Sequence, residues 1–308
     1  MTTITLSDRF NAWYKAARPR TLTATYAPLG LAGVIALDQG VFELIPFVLA
    51  LIGALLLQIA ANLINEYFDY RRGADALKVA GQGMIIKNAV LTPQAVLSGA
   101  VVTVVLGCII GLILLYQSGS VLLWIGLGGV LVVITYTAGP FPLAYNGLGE
   151  VAVFIFMGPI MVLGAYYVMA RQVDALPIIA GLPLGAMVAA ILHANNIRDR
   201  EADRAVNKRT LALMLGLRGA RIEYLVLVGG AYSLVVVLVL LGTMAPTTLL
   251  VAVTLPEAVR LIRIIYSTTD PVILHPAQGR TAKLHGAFGL WLVVGWAVWL
   301  VLEQISLI

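Results

Sequence analysis

The chain has 308 residues, of which 60% are hydrophobic and 11% charged, with a mean hydropathy of +0.95 and a formal charge of +5. Soluble domains carry roughly 25% charged residues, so composition excludes an ordinary soluble enzyme or binding module and indicates an integral membrane protein. The basic excess calls for no nucleic-acid partner, because cytoplasmic loops of membrane proteins are rich in Lys and Arg.

The N-terminal stretch MTTITLSDRFNAWYKAARPRT lacks a short apolar core ending in small residues, so no cleaved signal peptide is expected. A membrane span needs about 20 mostly apolar residues. Nine segments meet that need, at 21–37, 41–64, 94–116, 119–137, 148–170, 175–196, 220–242, 246–266 and 284–305. Pro28, Pro46, Pro159 and Pro183 fall inside them and are expected to kink or loosen helices. The lone cysteine, Cys108, sits in an apolar run and reads as a small packed side chain with no intramolecular disulfide.

Charge sets the orientation. With the N-terminus in the cytoplasm and sides alternating, Arg18, Arg20, Arg71, Arg72, Lys78, Lys87 and the basic run from Arg198 to Arg221 all fall on the cytoplasmic side. Only Arg171 falls outside, as the positive-inside rule requires. The expected fold class is therefore all-α: one polytopic transmembrane domain over 1–308, of nine helices, with a cytoplasmic N-terminus.

The second and sixth spans end in unusual stretches. ANLINEYFDYRRGAD places Asn62, Glu66 and Asp69 at i, i+4 and i+7, on one helical face, with Asn65 beside them. HANNIRDREAD places Asn195, Asp199 and Asp203 at i, i+4 and i+8, again on one face. Like charges one turn apart repel unless a cation lies on them. Hard oxygen ligands at a membrane edge suit Mg²⁺, which takes one or two carboxylates and completes its shell with water and phosphate. Two such stripes on the same membrane side fit a diphosphate held through metal, with Arg71, Arg72, Lys87, Arg198, Lys208 and Arg209 available to neutralise its remaining oxygens. The bland alternative is solvated charge at loop ends. It leaves the matched stripes on two helices unexplained, and ionisable residues at membrane depth default to function.

These residues resemble a family. NEYFDYRRGAD is similar to the first aspartate-rich motif of the UbiA superfamily of intramembrane aromatic prenyltransferases, and NNIRDREADRAVNKRTLA is similar to the second. AARPRTLTATYAPLGLAG, YTAGPFPLAYNGLGE and GPIMVLGAYYV add a resemblance to its 1,4-dihydroxy-2-naphthoate polyprenyltransferase branch, which serves menaquinone synthesis. The resemblance covers about residues 16–219. Glu66 stands where the family more often has Asp, Asn146 replaces a basic residue before GLGE, and the 77–90 loop is only loosely similar to the family's glycine-rich basic loop.

The resemblance implies a helical bundle around a central cavity that opens to lipid for the prenyl tail. It implies Mg²⁺, with Mn²⁺ as an alternative, on Asn65, Glu66, Asp69, Asp199 and Asp203. The implied partners are a polyprenyl diphosphate, an aromatic acceptor and the bilayer, with the active site facing the cytoplasm from the inner or plasma membrane. Asn62 and Asn195 then bond phosphate or metal-bound water, or else satisfy helix-end carbonyls. Arg18 meets a substrate carboxylate or serves as a positive-inside anchor. Tyr136 and Tyr145 shield an allylic cation or simply pack. Glu150 reads as a buried hydrogen-bond partner or a base for the acceptor hydroxyl, and His193 as a packing histidine. Competing readings are a sister enzyme with another acceptor (4-hydroxybenzoate, homogentisate, a chlorophyllide or a glycerol phosphate), a cation or anion transporter, and a purely structural membrane protein.

Overall fold

A computed structural model describes residues 6–76, 78 and 84–305. Apolar runs bounded by good helix starts dictate the elements. Thr92, Asp174 and Asp270 each cap a following helix by accepting a backbone N–H, and Pro93 and Pro271 occupy first-turn positions where no N–H is needed. In chain order the helices are α1 (Leu6–Ala16), α2 (Thr23–Asp38), α3 (Leu44–Arg71), α4 (Pro93–Ser118), α5 (Val121–Thr135), α6 (Gly149–Met157), α7 (Pro159–Ala170), α8 (Ala175–Ala180), α9 (Leu182–Arg198), α10 (Arg200–Ala205), α11 (Leu211–Met214), α12 (Gly216–Leu240), α13 (Leu255–Ser267) and α14 (Pro271–Gln304). No strand occurs among the described residues.

Among the described residues, six helical segments are long and apolar enough to cross a membrane alone, or seven if the bent pair Arg9–Thr21 and Thr23–Asp38 counts as one. The expectation of nine crossings is thus not met by helix length. The shortfall lies in α5, with 15 residues, and in the 246–266 segment, which starts as a nine-residue 3-10 helix before α13. Pro159 and Pro183 stand, as expected, where a span breaks, opening α7 and α9 just after Gly158 and Gly181. Pro28 lies inside α2, but Pro46, Pro159 and Pro183 sit in first turns.

The main core joins α2, α7, α9, α12 and α14 around Leu31, Ile35, Tyr166, Met187, Tyr224 and Phe288. A second cluster packs Ala12 and Ala16 of α1 on Leu63 and Ile64 of α3, together with Ile85 and Ile86. The break between α6 and α7 falls at Gly158, where an added Cβ would lie 2.6 Å from the Cα of Gly185. Small residues let the two broken spans touch backbone to backbone, a common packing solution in lipid. Exposed Val101, Val105, Ile109 and Leu112 on α4 suit a hydrocarbon surround.

The end of the bundle away from the acidic motifs is tied shut. Trp296 donates to Asp38 at 3.0 Å, Gln39 to Asp174 at 3.2 Å, and Tyr166 to Gln39. Arg171 pairs with Glu43 at 2.8 Å.

Candidate active site

The two acidic motifs end in the same way. Helix α3 closes at Gly73, in the left-handed region at φ 73°, and the Ala74 N–H returns to the carbonyl of Asp69 at 2.9 Å. Helix α10 closes at Asn207, at φ 54°, and the Lys208 N–H returns to the carbonyl of Asp203 at 2.9 Å. In both, the left-handed residue stands four places after the acid, and the returning chain delivers new side chains to it. In the first case those are Asp75 and Lys78; in the second, Lys208. The second motif is not one straight helix, since α9 ends at Arg198, but the Asp203 N–H still reaches the Asp199 carbonyl at 2.8 Å. The expected one-turn spacing survives the junction.

The resulting charge cluster is buried. Lys78 Nζ lies 3.3 Å from Asp69 Oδ2 and 2.8 Å from Asp75 Oδ1. Burial opposes the charge on Lys78, yet Asp69, Asp75 and Asp199 outweigh it and raise its ammonium above the ordinary range. Tyr145 donates to Asp69 Oδ1 at 2.7 Å. Its phenol is pushed up by burial and then by the Asp69 charge. Arg198 forks onto Asp199 with two contacts of 2.6 Å. Asp203 is fully buried, and neither of its carboxyl oxygens has a hydrogen-bond partner among the described residues. Lys208 stands 3.5 Å away as an ion pair only. Burial pushes the Asp203 carboxyl up to about 6, with Lys208 opposing and Asp199 adding to the rise. A buried carboxylate left unsatisfied costs several kcal/mol, so Asp203 is a residue that could hold a cation. The donor set around it is all oxygen, which fits Mg²⁺.

Beneath the cluster lies a cavity of about 560 Å³. Arg18, Asn65, Asp69, Asp75, Lys78 and Lys208 line its polar end, and Gly53, Leu57, Leu115, Leu122, Val130 and Val168 line it further in. Asp69 and Ala50 both border it, so along α3 it runs about 28 Å at 1.5 Å per residue. Helix α5, which buries none of its own residues, forms part of the wall.

Asn65, Asp69, Asn195, Arg198, Lys208, Arg18 and Tyr136 border this cavity, while Asp199, Asp203 and Tyr145 sit directly behind its polar end. Four basic residues go elsewhere. Arg71 is exposed and donates to Tyr67; Arg72 is spent on the carbonyls of Thr137 and Gly139; Lys87 holds the carbonyls of Ala76 and Lys78; and Arg209 is exposed, its backbone N–H bonded to Tyr145. Asn62 borders the cavity, but its amide N–H₂ is committed to the Ala17 carbonyl and Thr21. Glu66 also departs from the expected metal role. Its Oε1 accepts the Ile85 and Ile86 N–H groups, and its Oε2 accepts Met84 N–H at 3.0 Å and Arg18 at 3.4 Å. The extra methylene over Asp lets it reach back and pin this segment. Residues 77 and 79–83 of the basic loop lie outside the described residues.

Asp75 and Lys78 were missed in the sequence. Their signal is the left-handed Gly73, which folds the chain back toward Asp69. The Glu66 geometry carries its own expectation. Glu66→Ala leaves three buried N–H groups and Arg18 without an acceptor, at about 1–3 kcal/mol for each buried group. Limited trypsin digestion after Lys87 should then run at least about tenfold faster than in the parent, while Glu66→Gln, which keeps one acceptor oxygen, falls between. Equal cleavage rates would show that the pin is unimportant.

The model of the UbiA prenyltransferase family matches residues 26–274. The 1,4-dihydroxy-2-naphthoate octaprenyltransferase of Bacillus subtilis (strain 168) is 32% identical over 92% of this chain and 91% of its own. The protein of that name from Escherichia coli (strain K12) is 33% identical over 90% of this chain and 92% of its own. In fold, the chain is similar to a UbiA homolog from Archaeoglobus fulgidus bound to GPP and Mg²⁺, with a TM-score of 0.58 and 14% identity over 92% of this chain and 99% of that one.

Proposed function

The chain belongs to the UbiA prenyltransferase family, and from that premise we propose that it transfers a polyprenyl group from its diphosphate to 1,4-dihydroxy-2-naphthoate, with loss of CO₂, in menaquinone synthesis. The observation that carries the reading is the convergence of two acid-bearing helix ends, with two buried lysines, on the polar end of a long apolar cavity.

Asp69, Asp199 and Asp203, with Asn65, are the residues that would hold Mg²⁺; Mn²⁺ fits the same oxygens. When bound, the ion supplies positive charge that stabilises the departing diphosphate. Lys78, Lys208 and Arg198 meet the diphosphate oxygens as cations already desolvated by the protein. The C–O bond of the prenyl diphosphate breaks with its electron pair going to the diphosphate. A ring carbon of the electron-rich naphthoate forms the new C–C bond, and CO₂ leaves its electron pair to restore aromaticity. The apolar wall excludes water that would otherwise quench the allylic cation. The tail lies in hydrocarbon, where each CH₂ gains about 0.8 kcal/mol over water.

The whole chain acts as one transmembrane domain. Nine crossings with a cytoplasmic N-terminus put this polar end at the cytoplasmic face of the inner or plasma membrane. The charge asymmetry of the loops supports that orientation.

The test is product formation by the purified protein in liposomes with labelled polyprenyl diphosphate and a panel of acceptors. Turnover of the naphthoate, abolished by chelation and restored by Mg²⁺, is expected. Failure with the naphthoate alongside turnover of 4-hydroxybenzoate or homogentisate would move the assignment to a sister acceptor.

A further inference from the structure

A buried polar network stands behind the cavity wall, outside the metal cluster. Glu150 at the start of α6 is 4% exposed, and His193 and Asn196 of α9 are 0% and 4% exposed. His193 Nε2 lies 2.8 Å from the Ala220 carbonyl, and its Nδ1 lies 3.0 Å from Glu150 Oε1 and 3.4 Å from Glu223 Oε2. The ring faces the Ala220 carbonyl at one nitrogen and the Glu150 and Glu223 carboxylates at the other. Asn196 Nδ2 also donates to Glu150 Oε1, at 2.8 Å.

That last bond fixes which way the Asn196 amide points. A carboxylate can only accept, so the N–H₂ of Asn196 must face Glu150. Its carbonyl oxygen is left for the cavity that Asn196 borders. Tyr136, Ala152 and Leu192 also border the cavity, Leu192 one helical turn further in along α9 than Asn196. This part of the cavity wall is mostly apolar and carries the oriented Asn196 amide, close to the acidic cluster.

We propose that Asn196 is the specificity-determining residue for a hydroxylated aromatic acceptor: its Oδ1 accepts a hydrogen bond from a ring hydroxyl, and the Glu150–His193–Glu223 network positions it by holding the amide in one orientation. The proposal rests on the acceptor reading above and deepens it. A site built around a single oriented acceptor discriminates strongly against a ring lacking the matching hydroxyl, because the buried carbonyl then goes unpaired. Glu150, Glu223 and His193 touch no substrate and act only through Asn196.

Two measurements test it. In the first, 1-hydroxy-2-naphthoate and 4-hydroxy-2-naphthoate, each lacking one hydroxyl, compete with 1,4-dihydroxy-2-naphthoate on the unaltered protein in liposomes. One of them should inhibit about tenfold more weakly than the other. In the second, Asn196→Leu should raise KM for the naphthoate about tenfold, leave KM for the prenyl diphosphate and the Mg²⁺ requirement within about twofold, and abolish the difference between the two inhibitors. Glu150→Gln, whose amide can donate and so lets Asn196 turn over, should raise the same acceptor KM. Combined with Asn196→Leu it should add nothing further, a non-additivity that a purely structural role would not produce. Equal inhibition by the two analogues on the unaltered protein overturns the proposal even if the variants do not fold. So does an unchanged acceptor KM in a folded Asn196→Leu. If the unaltered protein prenylates no hydroxylated ring at all, the acceptor reading fails first and this inference falls with it.

Discussion

Asp69→Asn and Asp203→Asn should each lower prenyl transfer by at least about a hundredfold while leaving the protein folded. Asp69 accepts from Tyr145 and Lys78, so its amide replacement keeps one acceptor oxygen in place. Asp203 makes no hydrogen bond that the substitution would break. In both, what disappears is the negative charge that brings a divalent ion to the diphosphate. Product formation at saturating donor and acceptor, paired with a melting curve in detergent, checks this. Full turnover in both variants would remove metal from the mechanism. Asp199→Asn serves as the contrast. Asp199 is the bidentate partner of buried Arg198, so this change strands a desolvated guanidinium and should also lower stability, by about 3–5 kcal/mol.

Lys78→Met should be the next most damaging change. Among the described residues, Lys78 is the one cation that touches Asp69 and Asp75 together, and its side chain is 9% exposed. Truncating one member of a buried, hydrogen-bonded charge group costs about 2–5 kcal/mol, equivalent to roughly thirtyfold or more in donor kcat/KM. The loss should appear against the prenyl diphosphate and not in KM for the acceptor. Lys78→Arg should recover only part of it, because a planar fork replaces a compact ammonium. A Lys78→Met protein with unchanged donor kinetics would mean that the diphosphate binds elsewhere.

The residues that carry these expectations differ in how visible they are in sequence. Asp69, Asp199 and Asp203 stand out because helical periodicity alone puts them on facing stripes. The arginines mislead because charge was counted without direction. Arg71 follows Asp69 by two residues, about 200° around the helix, and so points away. Arg72 lies on the right side but has carbonyls nearer at 137 and 139. Glu66 shares the face of Asp69, yet its extra reach brings it to backbone N–H groups that no local pattern announces. Asp75 and Lys78 depend on a left-handed turn at Gly73, a tertiary device that is legible only once its twin at Asn207 is seen. Among the described residues, helix length supports at most seven of the nine expected crossings, for a similar reason. Hydropathy reports that a segment prefers lipid, not whether it runs as one long helix, and the short α5 and the 3-10 start of the 246–266 segment are invisible to it.

The bonds among Asp38, Gln39, Glu43, Tyr166, Arg171, Asp174 and Trp296 have a bioenergetic consequence. They knit together the end of the bundle opposite the acidic motifs, and none of the seven borders the cavity, whose oily stretch is walled by other residues. In the proposed orientation, the voltage across the bilayer would fall over this cross-linked half, so a membrane living on its ion gradients could house a polar pit at the opposite end.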